Sequence, residues 1–149
     1  MKKRLIVFLL PAFIIFFAAA TAAAHCEIPC GIYDDGLRMK LIAEHITTIE
    51  KSMNKIVELS RQSPVNYNQL VRWISNKEAH ADKIQNIVTQ YFMTQRIKPD
   101  VNKYQKHLSL LHQMLIYAMK AKQTTDLANI PKLRSLMKEF EALYFGASH

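Results

Sequence analysis

Apolar side chains recur at spacings of three and four residues in four separate stretches of this chain. Such spacing places them on one side of an α-helix, and no stretch after residue 24 shows the alternation typical of a strand. The chain has only three glycines, so few positions favour a break in helical structure. Four amphipathic helices with short connections predict an all-α fold, an antiparallel up-down-up-down four-helix bundle with the apolar stripes inside.

The first two predicted helices are separated by Ser63 and Pro64. The first is expected from about Gly36 to Arg61, and the second continues to near Gln95. The residues predicted to face the core are Ile42, Ile46, Ile49, Met53 and Ile56 in the first helix and Leu70, Trp73, Ile74, Ile84, Ile87, Val88, Tyr91 and Phe92 in the second.

A connector over residues 96–100 precedes the third helix, and residues 123–126 separate it from a shorter fourth helix. Pro99 fits the opening turn of the third helix, Pro131 complicates the start of the fourth, and Gly146 fits its end. The predicted core residues are Val101, Tyr104, Leu108, Leu111, Leu115 and Ala118 in the third helix and Leu133, Leu136, Met137, Phe140, Leu143 and Tyr144 in the fourth.

The sequence of the four helices does not carry the usual motifs of a metal site inside a bundle. Glu-x-x-His, which places two ligands on one helix face, does not occur, and this disfavours a ferritin-like di-iron centre. The Cys-x-x-Cys-His haem attachment motif does not occur either. Five histidines are interpreted as surface or helix-face residues rather than ligands: His45, His80, His107, His112 and His149.

The first 24 residues have the three parts of a secretory signal peptide. A basic start is followed by an apolar run to Ala20 and by an A-x-A site that ends at Ala24. We expect cleavage between Ala24 and His25, with removal of residues 1–24 and export to the periplasm or the extracellular space. The alternative is an uncleaved membrane anchor, because the apolar segment is just long enough to span a bilayer. Pro11 and the alanine-rich end favour cleavage.

Cleavage would leave 125 of the 149 residues, a length suited to one domain with a single core. It would remove three of the 20 basic residues and none of the 12 acidic ones, so the mature chain would remain basic. A basic surface attracts nucleic acid, anionic lipid or small anions, and export argues against nucleic acid. Lys and Arg are scattered, as on a solvated helix surface. We expect no nucleic-acid partner and, after cleavage, no membrane.

Both cysteines lie within six residues of the predicted mature terminus, in the segment HCEIPCGIY that starts at His25. A terminal His25 offers its amine and its imidazole as nitrogen donors, and Cys26 and Cys30 add two thiolates. The peptide nitrogen of Cys26, once deprotonated, can close chelate rings between the amine and the Cys26 sulfur. Amine, amide nitrogen and two thiolates then form a planar set of four donors.

A planar set of two nitrogens and two sulfurs indicates Ni(II) or Cu(II), whereas a structural zinc site would require four tetrahedral ligands. Two thiolates tend to reduce Cu(II), and this favours nickel. The imidazole of His25 is placed to bind as a fifth, axial ligand when nickel is oxidised. These residues predict a redox-active nickel site formed by His25, Cys26 and Cys30.

A disulfide between Cys26 and Cys30 is the alternative, because exported proteins usually pair their cysteines. Such a bridge would close a very small ring and would leave His25 unexplained, whereas metal binding would protect both thiolates from oxidation. Two other functions stay open on these residues alone. One is an exported metal carrier or sensor without turnover, and the other is a structural bundle with this disulfide.

The residues that match the pattern HCxxPCGxY are His25, Cys26, Pro29, Cys30, Gly31 and Tyr33. The pattern resembles the nickel-binding hook of the nickel superoxide dismutase family. The stretches TTIEKSM from Thr47 and NQLVRWISNKEAHADKIQ from Asn68 resemble its exported or marine-type members. The resemblance covers essentially all of the mature chain. It implies a metal-binding segment over residues 25–34, which we call the hook, and a four-helix bundle over residues 35–149, together forming one domain.

The resemblance implies a superoxide dismutase that converts superoxide to dioxygen and hydrogen peroxide through Ni(II)/Ni(III) cycling. It implies nickel ligation by His25 through amine and imidazole, by Cys26 through amide and sulfur, and by Cys30 through sulfur. Tyr33 matches the tyrosine that stands over the open face of the metal and orders small anions or water, so Tyr33 is the implied catalytic residue. Pro29 would follow a cis peptide bond and shape the hook. Members of the family assemble as homohexamers.

The chain departs from the family pattern at several positions. Glu27 stands where Asp is frequent, and this change leaves the ligands intact. The carboxylate and the arginine that steady the axial histidine in some members have no secure counterparts in the sequence, and Glu44 is the nearest acidic candidate. A signal peptide in place of the removable pro-segment of other members implies a different maturation enzyme.

Overall fold

The computed structural model describes residues 33–146. Four helices follow one another: α1 is Asp35–Ser60, α2 is Tyr67–Asn86, α3 is Tyr104–Gln123 and α4 is Asn129–Gly146, and α2 continues into a π-helix over Ile87–Arg96. Within this part of the chain there is no strand. The predicted all-helical bundle is confirmed, whereas the hook, apart from Tyr33 and Asp34, lies outside the described residues.

Helix α1 begins where its sequence predicts. The side chain of Asp34 accepts a hydrogen bond of 2.8 Å from the backbone N–H of Leu37, which caps the first turn. Its apolar stripe is buried along the whole helix and consists of Ile42, Ile46, Ile49, Met53 and Ile56. The predicted core face of α1 is therefore confirmed.

Polar contacts fix the directions of α2 and α4 relative to α1. These contacts are Ser52–Asn76 and Asp35–Tyr91 for the chain of α2 and its π-helix, and Glu50–Arg134 and Asp35–Tyr144 for α4. As the chain advances along α2 or along α4, its contacts move back towards the start of α1. Both neighbours of α1 therefore run antiparallel to it.

The second predicted helix has the expected extent but not a uniform core face. Its later apolar residues are buried, namely Ile84, Ile87, Val88, Tyr91 and Phe92. Leu70 and Trp73 are only half-buried and Ile74 is exposed, so their assignment to the core is wrong. The reason is that α3 is too short to cover the start of α2. The buried Lys77 donates hydrogen bonds to carbonyls at the C-terminal end of α3, so the turns of α2 before Lys77 extend past that end.

Helix α3 differs most from the prediction. It begins at Tyr104, after Lys103 in the left-handed conformation with φ 55°, so Pro99 and Val101 lie in the preceding turn and not in the helix. Of the predicted stripe, Leu111 and Ala118 are fully buried, and Tyr104, Leu108 and Leu115 pack half-buried against the core. The fully buried residues of α3 are His107, Leu110, Leu111, Met114, Ala118 and Ala121. Leu108 and Leu115 lie on one side of α3, and Leu110 lies on another side. Their spacing alone does not show which side is buried more deeply, and the packing of the neighbouring helices decides it.

Helix α4 presents the predicted side to the core. Leu133, Met137 and Phe140 are buried, while Leu136, Leu143 and Tyr144 pack half-buried against the same core. Pro131 lies in the first turn, where the missing N–H is not needed by the helix. Within residues 33–146 no helix has the length and apolar character needed to cross a bilayer.

Candidate functional site: a charged and aromatic cluster around Tyr33

Tyr33 is the one predicted site residue that the structure describes. The predicted nickel ligands His25, Cys26 and Cys30 all lie outside the described residues. Tyr33 precedes the first turn of α1, and its side chain is 41 % exposed. Its side chain is therefore partly open to solvent and partly covered by the bundle.

Two side chains from the π-helix contact the ring of Tyr33. The guanidinium carbon of Arg96 lies 4.3 Å from the ring centre, a cation–π contact. The ring of Tyr91 meets it edge to face, with centres 5.9 Å apart and planes at 74°. The wider coil of the π-helix ends at Arg96, and such segments are often associated with functional sites.

The carboxylate of Asp35 holds this group of side chains together. Tyr91 donates its O–H to Oδ1 at 2.6 Å, and Tyr144 donates its O–H to Oδ2 at 2.8 Å. Arg96 binds the same carboxylate through Nε at 2.9 Å and Nη2 at 2.7 Å. The Asp35 side chain is 15 % exposed and that of Arg96 is 29 % exposed, so this ion pair is only partly accessible to water.

The cluster has a defined protonation state at neutral pH. Burial opposes ionisation of Asp35, but the hydrogen bonds from Arg96, Tyr91 and Tyr144 outweigh it and hold the pKa of Asp35 below its ordinary value. The hydrogen bonds to Asp35 raise the pKa of Arg96, which stays charged. Burial and the Asp35 carboxylate raise the pKa of Tyr144 to about 12 and that of Tyr91 well above its ordinary value. Both phenols are therefore neutral hydrogen-bond donors.

An aromatic layer supports the cluster from inside the bundle. The ring of Phe92 lies 5.0 Å from Phe140 and 5.6 Å from Tyr144, centre to centre. His107 packs edge to face on the latter two rings, and its two ring nitrogens are buried without a hydrogen-bond partner. Burial and the charge of Lys103 lower the pKa of His107, so its imidazole is neutral. Of the interpretation as a surface or helix-face residue, the surface position is wrong for His107, which lies on the buried face of α3.

His45 was likewise interpreted as a surface or helix-face residue, and the structure buries it on the face of α1 that packs on α2. Its Nδ1 atom lies 3.1 Å from that of the partly exposed His80, so one imidazole donates to the other. The expected helix-surface position of His112 is confirmed by its exposure, and His149 lies outside the described residues. Over residues 33–146 no group of three or more His, Cys, Asp or Glu side chains could hold a metal ion.

Sequence reasoning missed the Asp35 cluster. Its partners lie 56, 61 and 109 residues away along the chain, in Tyr91, Arg96 and Tyr144. Glu44, the acidic candidate named from the sequence, is exposed. The only local signal was an acidic residue directly after the N-cap of α1, which is common at helix starts and carries no information about distant partners.

Four helices packed on one core, with a charged and aromatic cluster where α1 begins, define an all-helical bundle protein, and a histidine and two cysteines precede this bundle in the sequence. The family model described as nickel-containing superoxide dismutase matches residues 20–147, most of the chain, and the chain belongs to this family. It is a nickel-type superoxide dismutase, with nickel as cofactor and superoxide as substrate. Comparison with curated proteins and with solved structures gave no match.

Proposed function

We propose that the hook binds the nickel ion through His25, Cys26 and Cys30. The donor set fits the metal: a terminal amine, an amide nitrogen, an imidazole and two thiolates are the nitrogen and soft sulfur donors that suit planar or tetragonal Ni(II). When bound, nickel supplies one-electron redox chemistry, alternating between Ni(II) and Ni(III) while one superoxide becomes dioxygen and another, with two protons, becomes hydrogen peroxide. The observation that carries the proposal is the pattern HCxxPCGxY in a chain of this family.

Tyr33 is the residue that orders the small anion or water beside the metal. Its partly exposed phenol and its contacts with Arg96 and Tyr91 support this role, because they restrict the ring and leave part of it open to solvent. Three groups are candidates for delivering protons to the peroxide: a protonated cysteine sulfur, the His25 imidazole and water near Tyr33. The net positive charge of the chain attracts the anionic substrate, and salt screens this attraction.

Maturation and localisation belong to the same proposal. Removal of residues 1–24 exposes the amine of His25, the predicted nitrogen donor. The mature domain then consists of the hook, residues 25–34, and the bundle, residues 35–149, in the periplasm or outside the cell. A retained segment before His25 would leave that nitrogen in a peptide bond and remove the donor.

We also propose a homo-oligomer, a hexamer as the family resemblance implies. Three apolar side chains on one side of α2 support subunit contact, since Tyr67, Val71 and Ile74 are 71, 59 and 38 % exposed. Sedimentation of the mature protein tests this, with Val71→Glu as the variant. We expect a species larger than the monomer and a shift to smaller species in the variant; a monomeric wild-type protein would contradict the proposal.

The test of the nickel site is elemental analysis combined with superoxide consumption. The mature protein beginning at His25 is compared with a matched form that keeps one additional N-terminal Ala. We expect about one nickel per chain and dismutation in the first form, and loss of activity in the second. Full activity of the extended form would show that the terminal amine is not a nickel ligand. Nickel binding without dismutation would indicate a carrier, and blocked thiols without nickel would indicate the Cys26–Cys30 disulfide.

A further inference from the structure

Asp35 accepts hydrogen bonds from three residues that come from two other elements of the fold. Tyr91 and Arg96 belong to the π-helix and Tyr144 belongs to α4, and all three donate to the Asp35 carboxylate at distances between 2.6 and 2.9 Å. Asp34, not Asp35, caps helix α1. The Asp35 side chain is therefore not required for the helix start, and its hydrogen bonds are directed to distant residues.

Two of these partners are the side chains that contact Tyr33. Arg96 lies over the ring at 4.3 Å and Tyr91 meets it edge to face at 5.9 Å. An arginine side chain has many rotamers, so a cation–π contact with an exposed ring leaves it considerable freedom unless further bonds restrict it. Two hydrogen bonds from Arg96 to Asp35, through Nε and Nη2, supply that constraint. Asp35 thus restrains the guanidinium that lies over the ring of Tyr33.

An ion pair elsewhere on α1 provides a comparison. Asp35 joins α1 to the π-helix through Arg96 and to α4 through Tyr144. Glu50 and Arg134 join α1 to α4 at 3.0 Å, with side chains 44 and 33 % exposed. This pair lies about four helical turns along α1 from Asp35. A role that consists only in joining α1 to a neighbouring helix would be shared by Asp35 and Glu50, whereas a role in placing Tyr33 would belong to Asp35 alone.

We propose that Asp35 is a positioning residue for superoxide dismutation, which acts by holding Arg96 and Tyr91 against Tyr33. This inference rests on the proposed role of Tyr33. Asp35 keeps the phenol at one location at the start of α1, and loss of the carboxylate releases Arg96 and allows the ring to move. Misplacement of a group by about 1 Å can lower a rate by a factor of roughly 100.

The first test needs no nickel and follows the Arg96 Nε–H signal by NMR in the mature protein. In the wild type we expect a signal that exchanges slowly, because of the bond to Asp35, and is displaced by the ring current of Tyr33. Tyr33→Leu should remove the displacement and keep the slow exchange, and Asp35→Asn should remove both. Glu50→Gln should change neither. An Arg96 signal that is the same in wild type and Tyr33→Leu would overturn the proposal.

The second test compares dismutation rates per bound nickel in Asp35→Asn, Arg96→Lys and Glu50→Gln. We expect a loss of roughly 10- to 100-fold in the first two variants and a rate near wild type in the third. Asp35→Asn makes the chain more positive, so long-range attraction of superoxide alone would raise its rate. Arg96→Lys keeps the charge and loses the planar, two-point contact with the carboxylate.

The outcomes separate this proposal from the function on which it rests. If the wild-type protein binds nickel and does not consume superoxide, the proposed function fails, whatever the NMR spectra show. If the wild type is active and Asp35→Asn has the same rate per nickel as Glu50→Gln, the positioning role of Asp35 is refuted. Circular dichroism and urea unfolding establish that each variant compared is folded.

Discussion

The Nδ1 atoms of His45 and His80 lie 3.1 Å apart where α1 packs on α2. Burial lowers the pKa of both histidines, and the nearby charge of Lys83 lowers it further, against the opposing effect of Glu44. Arg38 and Asp82 line the cavity beside His45. An imidazole pair of this kind shares one hydrogen bond when neutral, and protonation of both rings would place two positive charges in contact.

Acid is therefore expected to destabilise the apo protein below about pH 6.5, the ordinary pKa of histidine. In that range the unfolded chain binds more protons than the folded chain, so the free energy of unfolding decreases as the pH falls. His80→Gln, which can still hydrogen-bond to His45, should weaken the dependence of the free energy of unfolding on pH. His107 should account for part of the dependence that remains. Urea unfolding at pH 7.5 and pH 5 measures it. The exposed His112→Gln is the control, and an equal dependence in wild type and His80→Gln would contradict the prediction.

Alkali is expected to act through Tyr91 and Tyr144. Their pKa values are raised in the folded protein, so the unfolded chain releases protons first and stability is lost as the pH rises above about 10. Tyr144→Phe should lose less stability than the wild type between pH 8 and pH 11, although it lacks the hydrogen bond to Asp35 at pH 8. Urea unfolding at both pH values tests this. Tyr67→Phe, at an exposed position, should follow the wild type.

The aromatic layer is expected to supply a large share of the core packing. Phe92 is fully buried and touches the rings of Tyr91, Phe140 and Tyr144. Phe92→Ala should lower the free energy of unfolding by about 3–5 kcal/mol, because it leaves a cavity among rigid rings. Met119→Ala, at a position 38 % exposed, should cost about 0.5 kcal/mol or less. Equal effects of the two substitutions in urea unfolding would contradict the described core.

The buried Lys77 is expected to stabilise the end of α3. Its ammonium group donates to the backbone carbonyls of Lys122 and Thr124, which have no partner within the helix. Burial lowers the pKa of Lys77, yet the side chain is only 4 % exposed and keeps these two acceptors. Lys77→Met should cost about 1–3 kcal/mol. Lys106→Met, which breaks the exposed pair with Glu139, should cost about 1 kcal/mol or less by the same unfolding measurement, and a larger loss there would contradict the argument.

Sequence periodicity determined the number of helices and the core face of α1, where Ile42, Ile46 and Ile49 are buried as expected. The sequence also indicated the family, because the HCxxPCGxY pattern is a local motif. The match over residues 20–147 confirms that assignment. The spacing of apolar residues could not show whether another helix would cover Ile74. It also could not show which of two adjacent sides of α3 would be buried more deeply.

The tertiary structure alone decided the surroundings of Tyr33. Arg96 and Tyr91 reach that ring from a distant helix, and Asp35 holds them there through hydrogen bonds that no local pattern encodes. Helix formation depends on residues three and four positions apart, so a sequence shows it directly. Contacts between residues far apart in the chain depend on helix length, direction and rotation together, and these are settled only when the helices pack.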